Sequence, residues 1–175
     1  AVFENCETLH IGMDEYFGEA EEYISYLIEL YEYLKGIAPE KTIRMWGSLT
    51  GMECDYSQVP RDIQLQLWST QWANPADMYE AGFNLINSQN MYLYLVPGTG
   101  YDWLDMDYLS NQWEPNIFED EKDKWEIPVY SPQMLGACYM LWNDMVFHEG
   151  MYLPEEELFA RFEKPLQVIA EKLWR

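Results

Sequence analysis

Short apolar runs recur along the chain, at Thr8–Ile11, Thr42–Trp46, Ile63–Trp68, Phe83–Asn87 and Leu135–Trp142, and helices or long crossovers join them. This alternation constrains the fold more than any other feature. Parallel strands need a long connection between them, whereas antiparallel strands can be joined by a tight turn, so the pattern argues for an α/β fold of parallel βα units. The first run leads into a helix over Glu19–Lys35, where Tyr23, Tyr26, Leu27, Leu30, Tyr31 and Leu34 fall at helical spacing and Gly36 is the expected stop. Asn74-Pro75 opens a short helix over Ala76–Ala81, ended by Gly82. Met91–Val96 is expected to run extended into the Pro97-Gly98 turn. The stretch Thr99–Pro132 is long and poorly periodic, and its charge run Glu119–Lys124 reads as a solvated loop. A closing helix is expected over Pro154–Trp174, bent near Pro165.

The length of 175 residues fits one domain able to bury a core. Ten Lys and Arg stand against 31 Asp and Glu, a formal charge of −21. Such a charge repels phosphate backbones and anionic membrane surfaces, which argues against nucleic acid as a partner and leaves a neutral ligand. No apolar run approaches the length of a membrane span. The first residues, Ala1-Val2-Phe3-Glu4-Asn5, show no basic region followed by an apolar stretch. Cys6, Cys54 and Cys138 are widely spaced, with no C-x-x-C, and fit buried free thiols better than a disulfide framework or a zinc site. The cellular compartment is left open.

Asp14 and Glu15 follow the first strand, which Gly12 closes, and precede the first helix. Adjacent carboxylates are expensive to bury, because each wants water or a partner. Taken alone, the pair reads as a cap and first-turn charge for that helix. Its company argues for more. Aromatic residues make up 17% of the chain, more Trp than a core requires. Trp46, Trp68, Tyr94 and Trp142-Asn143-Asp144 each fall at or just beyond the C-terminal end of an expected strand. In a (β/α)8 barrel those ends converge on one face and build the active site.

These residues resemble glycoside hydrolase family 20, the β-N-acetylhexosaminidases and lacto-N-biosidases. His10-Ile11-Gly12-Met13-Asp14-Glu15 is similar to that family's strand-four motif His-x-Gly-Gly-Asp-Glu, with Met13 in place of the second Gly. Trp46, Gln66-Leu67-Trp68, Tyr94 and Trp142-Asn143-Asp144 follow in the family's order. Phe159-Ala160-Arg161-Phe162 through Ala170-Glu171-Lys172-Leu173-Trp174 is similar to its last helix. Leu93-Tyr94-Leu95-Val96-Pro97-Gly98 and its aromatic continuation look more like the bacterial lacto-N-biosidase branch. The resemblance implies strands four to eight of a TIM (β/α)8 barrel across residues 1–175. Strands one to three, with the Arg that grips sugar hydroxyls near strand one, have no counterpart. A half barrel of this kind exposes two sheet edges and is expected to associate with itself or with its other half.

The activity implied is substrate-assisted hydrolysis with retention, in which the sugar's own 2-acetamido oxygen attacks the anomeric carbon, an exception to the two-carboxylate scheme. In the substrate-assisted reaction that the resemblance implies, Glu15 is acid and base, Asp14 orients the acetamido N–H, and Tyr94 holds the acetamido oxygen. Trp46, Trp68 and Trp142 wall the acetamido pocket, and Asp144 accepts hydrogen bonds from sugar hydroxyls. The partner implied is an N-acetylated oligosaccharide or glycoconjugate, with no cofactor and no metal. Several positions have two readings. His10 stands among the substrate-binding positions, but with no second His at metal spacing it reads as a packed, hydrogen-bonded neighbour of the site. Tyr92 would point to the same side as Tyr94 if the segment were extended and competes for its role. Trp113 either shapes an acceptor subsite or anchors the long loop, and Asp102 and Tyr101 share that ambiguity. Trp72 belongs either to the pocket or to the core. His148, in a loop after Val146-Phe147, reads as structural or exposed.

Overall fold

The computed structural model describes residues 5–145 and 153–174; His148 lies outside the described residues. The elements run β1 (Thr8–His10), α1 (Ala20–Ile37), β2 (Thr42–Trp46), β3 (Gln64–Leu67), α2 (Pro75–Glu80), β4 (Asn84–Asn87), α3 (Asn90–Leu93) and β5 (Tyr94–Leu95). They continue with α4 (Met106–Asn111), β6 (Ile117–Glu119), β7 (Lys124–Glu126), β8 (Met134–Ala137), β9 (Met140–Leu141) and α5 (Glu155–Leu173). A five-stranded sheet has the order β1-β2-β3-β4-β8. Thr8 aligns with Thr42 and Arg44 with Gln64, both in parallel register, as the long connections require.

The chain forms two compact units; two of the three divisions fall inside β4 and β8 and the third just after β7. The first comprises Ala1–Ile86 and Ile127–Leu135. Its core holds Tyr23 and Leu27 from one face of α1, and Ile43, Met45, Leu65 and Leu67 from β2 and β3. The apolar periods read from the sequence become this buried face. Helix α2 starts as expected: the Asn74 Oδ1 accepts from the Ala76 and Asp77 N–H groups at 2.9 and 3.2 Å, and Pro75 occupies the first turn. Gln133 Nε2 donates to the carbonyls of Tyr79 and Phe83 at 3.0 and 2.9 Å. Gly36 does not stop α1, which runs on to Ile37; the Ala38 N–H closes the helix on the Leu34 carbonyl.

The second unit comprises Asn87–Glu126 and Gly136–Arg175. Its core packs Leu93, Tyr108, Leu109 and Trp113 with Ile169 of α5. Two expectations are corrected here, and the long stretch after Thr99 gains elements its periodicity did not show. Residues 90–93 coil into a helical turn, with the Leu93 N–H donating to the Gln89 carbonyl, and only Tyr94 and Leu95 are strand. The poorly periodic stretch from Thr99 holds α4 and the antiparallel hairpin β6–β7, and the charge run forms that hairpin's exposed turn, as a solvated loop would. Asp120 Oδ1 closes the turn by accepting from the Lys122 and Asp123 N–H groups at 2.8 and 2.9 Å, so the charged residues pair with backbone as well as facing water. The last apolar run divides, with β8 in the five-stranded sheet and β9 paired in parallel with β5. Helix α5 is continuous through the buried Pro165.

Candidate active site

Strand β1 carries the acidic doublet to its C-terminal end, and the backbone there is pinned to β2. The Ile11 N–H donates to the Arg44 carbonyl at 2.9 Å, and the Trp46 N–H to the Gly12 carbonyl at 2.8 Å. The chain then turns through the left-handed region three times, at Gly12 (φ 74°), Met13 (φ 77°) and Glu15 (φ 47°). For L-residues that region is strained, and such strain persists only where surrounding contacts impose it. One such contact is the Tyr23 hydroxyl of α1, which donates to the Met13 carbonyl at 2.7 Å. Asp14 and Glu15 are exposed. They lie ahead of the helix start, whose N-cap is Glu19 and whose first-turn acids are Glu21 and Glu22, so capping does not explain the doublet. An open recess of about 390 Å³ beside Asp14 is lined by Met13, Tyr16, Glu22, Tyr23 and Tyr26.

His10 is held next to this turn. Its Nδ1 accepts from the Gly12 N–H at 3.1 Å, and its ring meets Trp46 edge-on with centroids 5.1 Å apart. His10 is thus hydrogen-bonded and ring-paired while still exposed. Desolvation and then the Arg44 cation push His10 below its ordinary value, against the pull of Asp14. Arg44 is held in turn by Gln64 on β3, its Nε and Nη2 donating to Oε1 at 3.0 and 2.8 Å. Trp68, just past β3, stacks on Trp72 with centroids 6.0 Å apart. Phe17 meets the other end of this pair, 5.8 Å from Trp72 and edge-on. Trp72 is therefore neither a buried core residue nor an isolated one. Sequence reasoning passed over Phe17; the available signal was an apolar ring two residues after Glu15, between acidic residues and Gly18.

In the second unit, β5 and β9 bring Tyr94 and Trp142 together. The Trp142 N–H donates to the Leu95 carbonyl at 3.0 Å, and the two rings lie 5.7 Å apart at 60°. Tyr101 approaches Tyr94 from another side at 6.3 Å and accepts from Asn90 Nδ2 at 3.0 Å. Asp144 is exposed in the turn after Trp142. Tyr92 does not share the orientation of Tyr94: it belongs to α3 and stacks on Tyr108 at 4.2 Å. Asp102 receives Arg161 Nη1 at 2.6 Å and the Gly98 N–H at 3.2 Å, which ties its loop to α5. Trp113 is corrected outright. It is fully buried in the second unit's core, and Lys172 Nζ donates to its carbonyl and to Glu114 at 3.0 Å, so it anchors the loop and offers no face to a ligand.

The three cysteines are free and half-buried rather than fully buried; burial pushes the Cys54 thiol up. No group of His, Cys, Asp and Glu suited to a metal ion occurs among the described residues. No helix among them is long and apolar enough to cross a membrane.

No family model and no curated protein matches the sequence. Solved structures do match. A structure of Dispersin B has a TM-score of 0.72 at 18% identity over 98% of this chain and 55% of its own. The tandem GH20 catalytic modules of the pneumococcal exo-β-D-N-acetylglucosaminidase StrH match with a TM-score of 0.60 at 17% identity, over 95% of this chain and 42% of theirs. A β-N-acetylhexosaminidase from Bacteroides fragilis matches with a TM-score of 0.58 at 15% identity, over 96% and 42%. The chain thus has the fold of part of these structures and spans about half the length of Dispersin B.

Proposed function

We propose that this chain is the part of a family 20-type β-N-acetylhexosaminidase that contributes strands four to eight of the catalytic barrel, with β1 as strand four. Its substrate class is an N-acetylated oligosaccharide or glycoconjugate, from which N-acetylhexosamine or lacto-N-biose is released with retention. Glu15 protonates the leaving oxygen and then activates water. Asp14 orients the acetamido N–H and balances the positive charge that develops as the acetamido oxygen attacks. Tyr94 holds that oxygen for attack, Trp46, Trp68 and Trp142 wall the sugar, Asp144 accepts from its hydroxyls, and His10 buttresses Trp46. The observation that carries the reading is the doublet itself: two exposed carboxylates on a strained left-handed turn at a strand's C-terminal end, clear of any helix cap. Backbone strain of this kind concentrates where function requires it.

A second reading has an observation in its favour. Strand β1 stands at the end of the five-stranded sheet, and an edge of that sort suits a non-catalytic module that binds carbohydrate, a second copy or a protein partner. A chromogenic N-acetylglucosaminide and a lacto-N-bioside, offered to this chain and to Glu15→Gln, separate the two. Turnover that Glu15→Gln abolishes supports the enzyme. Sugar binding without turnover in either protein supports the module and overturns the catalytic assignment.

A further inference from the structure

The turn that carries the acidic doublet is suspended between two elements. The Gly12 carbonyl accepts from the Trp46 N–H of β2 at 2.8 Å, and the next carbonyl, that of Met13, accepts from the Tyr23 hydroxyl of α1 at 2.7 Å. Two consecutive peptide planes are thus fixed, each by a different neighbour. Tyr23 also reaches the far side of the doublet. Its ring lies 5.9 Å from that of Tyr16, whose hydroxyl donates to Glu22 at 2.9 Å. Asp14 and Glu15 therefore form a bridge with Met13 and Tyr16 as its ends, and adjacent residues of α1 support both ends. The two acidic side chains are exposed, so the main chain sets where their carboxylates point.

We propose that Tyr23 is the positioning residue of the doublet: by holding the Met13 carbonyl it keeps the left-handed turn in place and so fixes the direction of Glu15. The consequence for catalysis rests on the proposed hexosaminidase reading. Glycine would accept φ 77° at position 13 unaided, whereas methionine is strained there, and Glu15 two residues on has φ 47°. A buried phenol hydroxyl needs an acceptor, and many carbonyls would serve a tyrosine that only filled the core. This one bonds the carbonyl of a strained residue, which couples the bond to the turn. Tyr23 is 3% exposed, so its ring is fixed in the core and little water competes for the bond. Helix α1 thereby determines the geometry of a site that it does not itself enter.

Wild type, Tyr23→Phe, Met13→Gly and the double variant test this coupling by NMR. The one-bond Cα–Hα coupling of Glu15, which separates positive from negative φ, is read in each. Tyr23→Phe keeps the buried ring and removes only the hydroxyl; it should move the Glu15 coupling into the negative-φ range. Met13→Gly alone should leave the coupling as in the wild type. With the strain at position 13 removed, the double variant should return to the wild-type value, a rescue that a tyrosine serving only the core would not show. A Glu15 coupling that survives Tyr23→Phe, or that the double variant fails to restore, overturns the positioning role. On a chromogenic N-acetylglucosaminide, Tyr23→Phe should lower kcat about tenfold with little effect on KM, and adding Met13→Gly should restore it. If the wild type hydrolyses nothing, the proposed reaction fails, and the couplings alone decide the role of Tyr23.

Discussion

At position 13 glycine should be more stable than alanine, and the structure gives the sign. Met13 has φ 77°, where an L-residue costs about 1–2 kcal/mol and glycine costs almost nothing. Glycine gives back about 0.5–1 kcal/mol through the greater freedom of the unfolded chain. Alanine is the proper reference, because both substitutions remove the half-buried Met13 side chain and both keep the carbonyl that accepts from Tyr23. Met13→Gly should therefore be more stable than Met13→Ala by about 0.5–1 kcal/mol. At an ordinary helical or extended position the order would reverse by a similar amount, so the sign alone discriminates. Urea unfolding of the two variants, compared at equal slope, reads the difference directly. In a chain of this size it corresponds to about 1–4 °C in Tm. Alanine equal to or more stable than glycine at this position would refute the left-handed turn, and with it the strain argument for the acidic doublet.

Gly36 lies inside α1 with open space around its missing Cβ, so Gly36→Ala should raise stability by about 0.5–1 kcal/mol, visible as a higher urea midpoint. Asn74→Ala removes the two capping bonds of α2 and should cost about 1 kcal/mol by the same measurement. Lys172→Met leaves the Trp113 carbonyl without its buried donor and should cost about 1–3 kcal/mol, with loosened protection of the α4–β6 loop in hydrogen exchange. The fold disfavours protonated His10, so the unfolded chain takes up that proton first as pH falls. Stability attributable to His10 should thus decline as pH drops below its ordinary 6.5 and level off beneath the folded midpoint. An NMR titration should place that midpoint under 6.5, and His10→Gln should flatten the acid limb of the stability profile.

Local signals carried the first unit well. Strand β2 has the bounds its apolar alternation implied, and α2 begins at the Asn-Pro pair that announces it. The helix following the doublet is visible in the spacing of Tyr23, Leu27 and Leu34. Long-range partners were not visible. Asn90 to Leu93 resembles the start of a strand by composition, yet the Gln89 carbonyl coils it into a turn. Trp113 was ambiguous because what buries it, Ile169 and Lys172, lies more than fifty residues away. The strained doublet was legible as chemistry but not as geometry: Met13 stood out as a departure from a glycine pattern, and only the backbone shows that the departure falls at a positive φ.

The buried polar run Asn87-Ser88-Gln89 bears on how the segment that follows it could be moved between proteins. Asn87 Nδ2 donates to the carbonyls of Pro115 and Ile117 at 3.1 and 2.7 Å, and Gln89 Oε1 accepts from the Glu119 N–H at 2.9 Å. Those backbone groups have their mates on the strand side of the junction, not within the hairpin. A transplant of residues 90–126 cut at the apparent loop boundary would arrive with its main chain unsatisfied, at a cost of about 1–3 kcal/mol for each orphaned group. The transferable cassette starts three residues earlier, with its two amide side chains aboard.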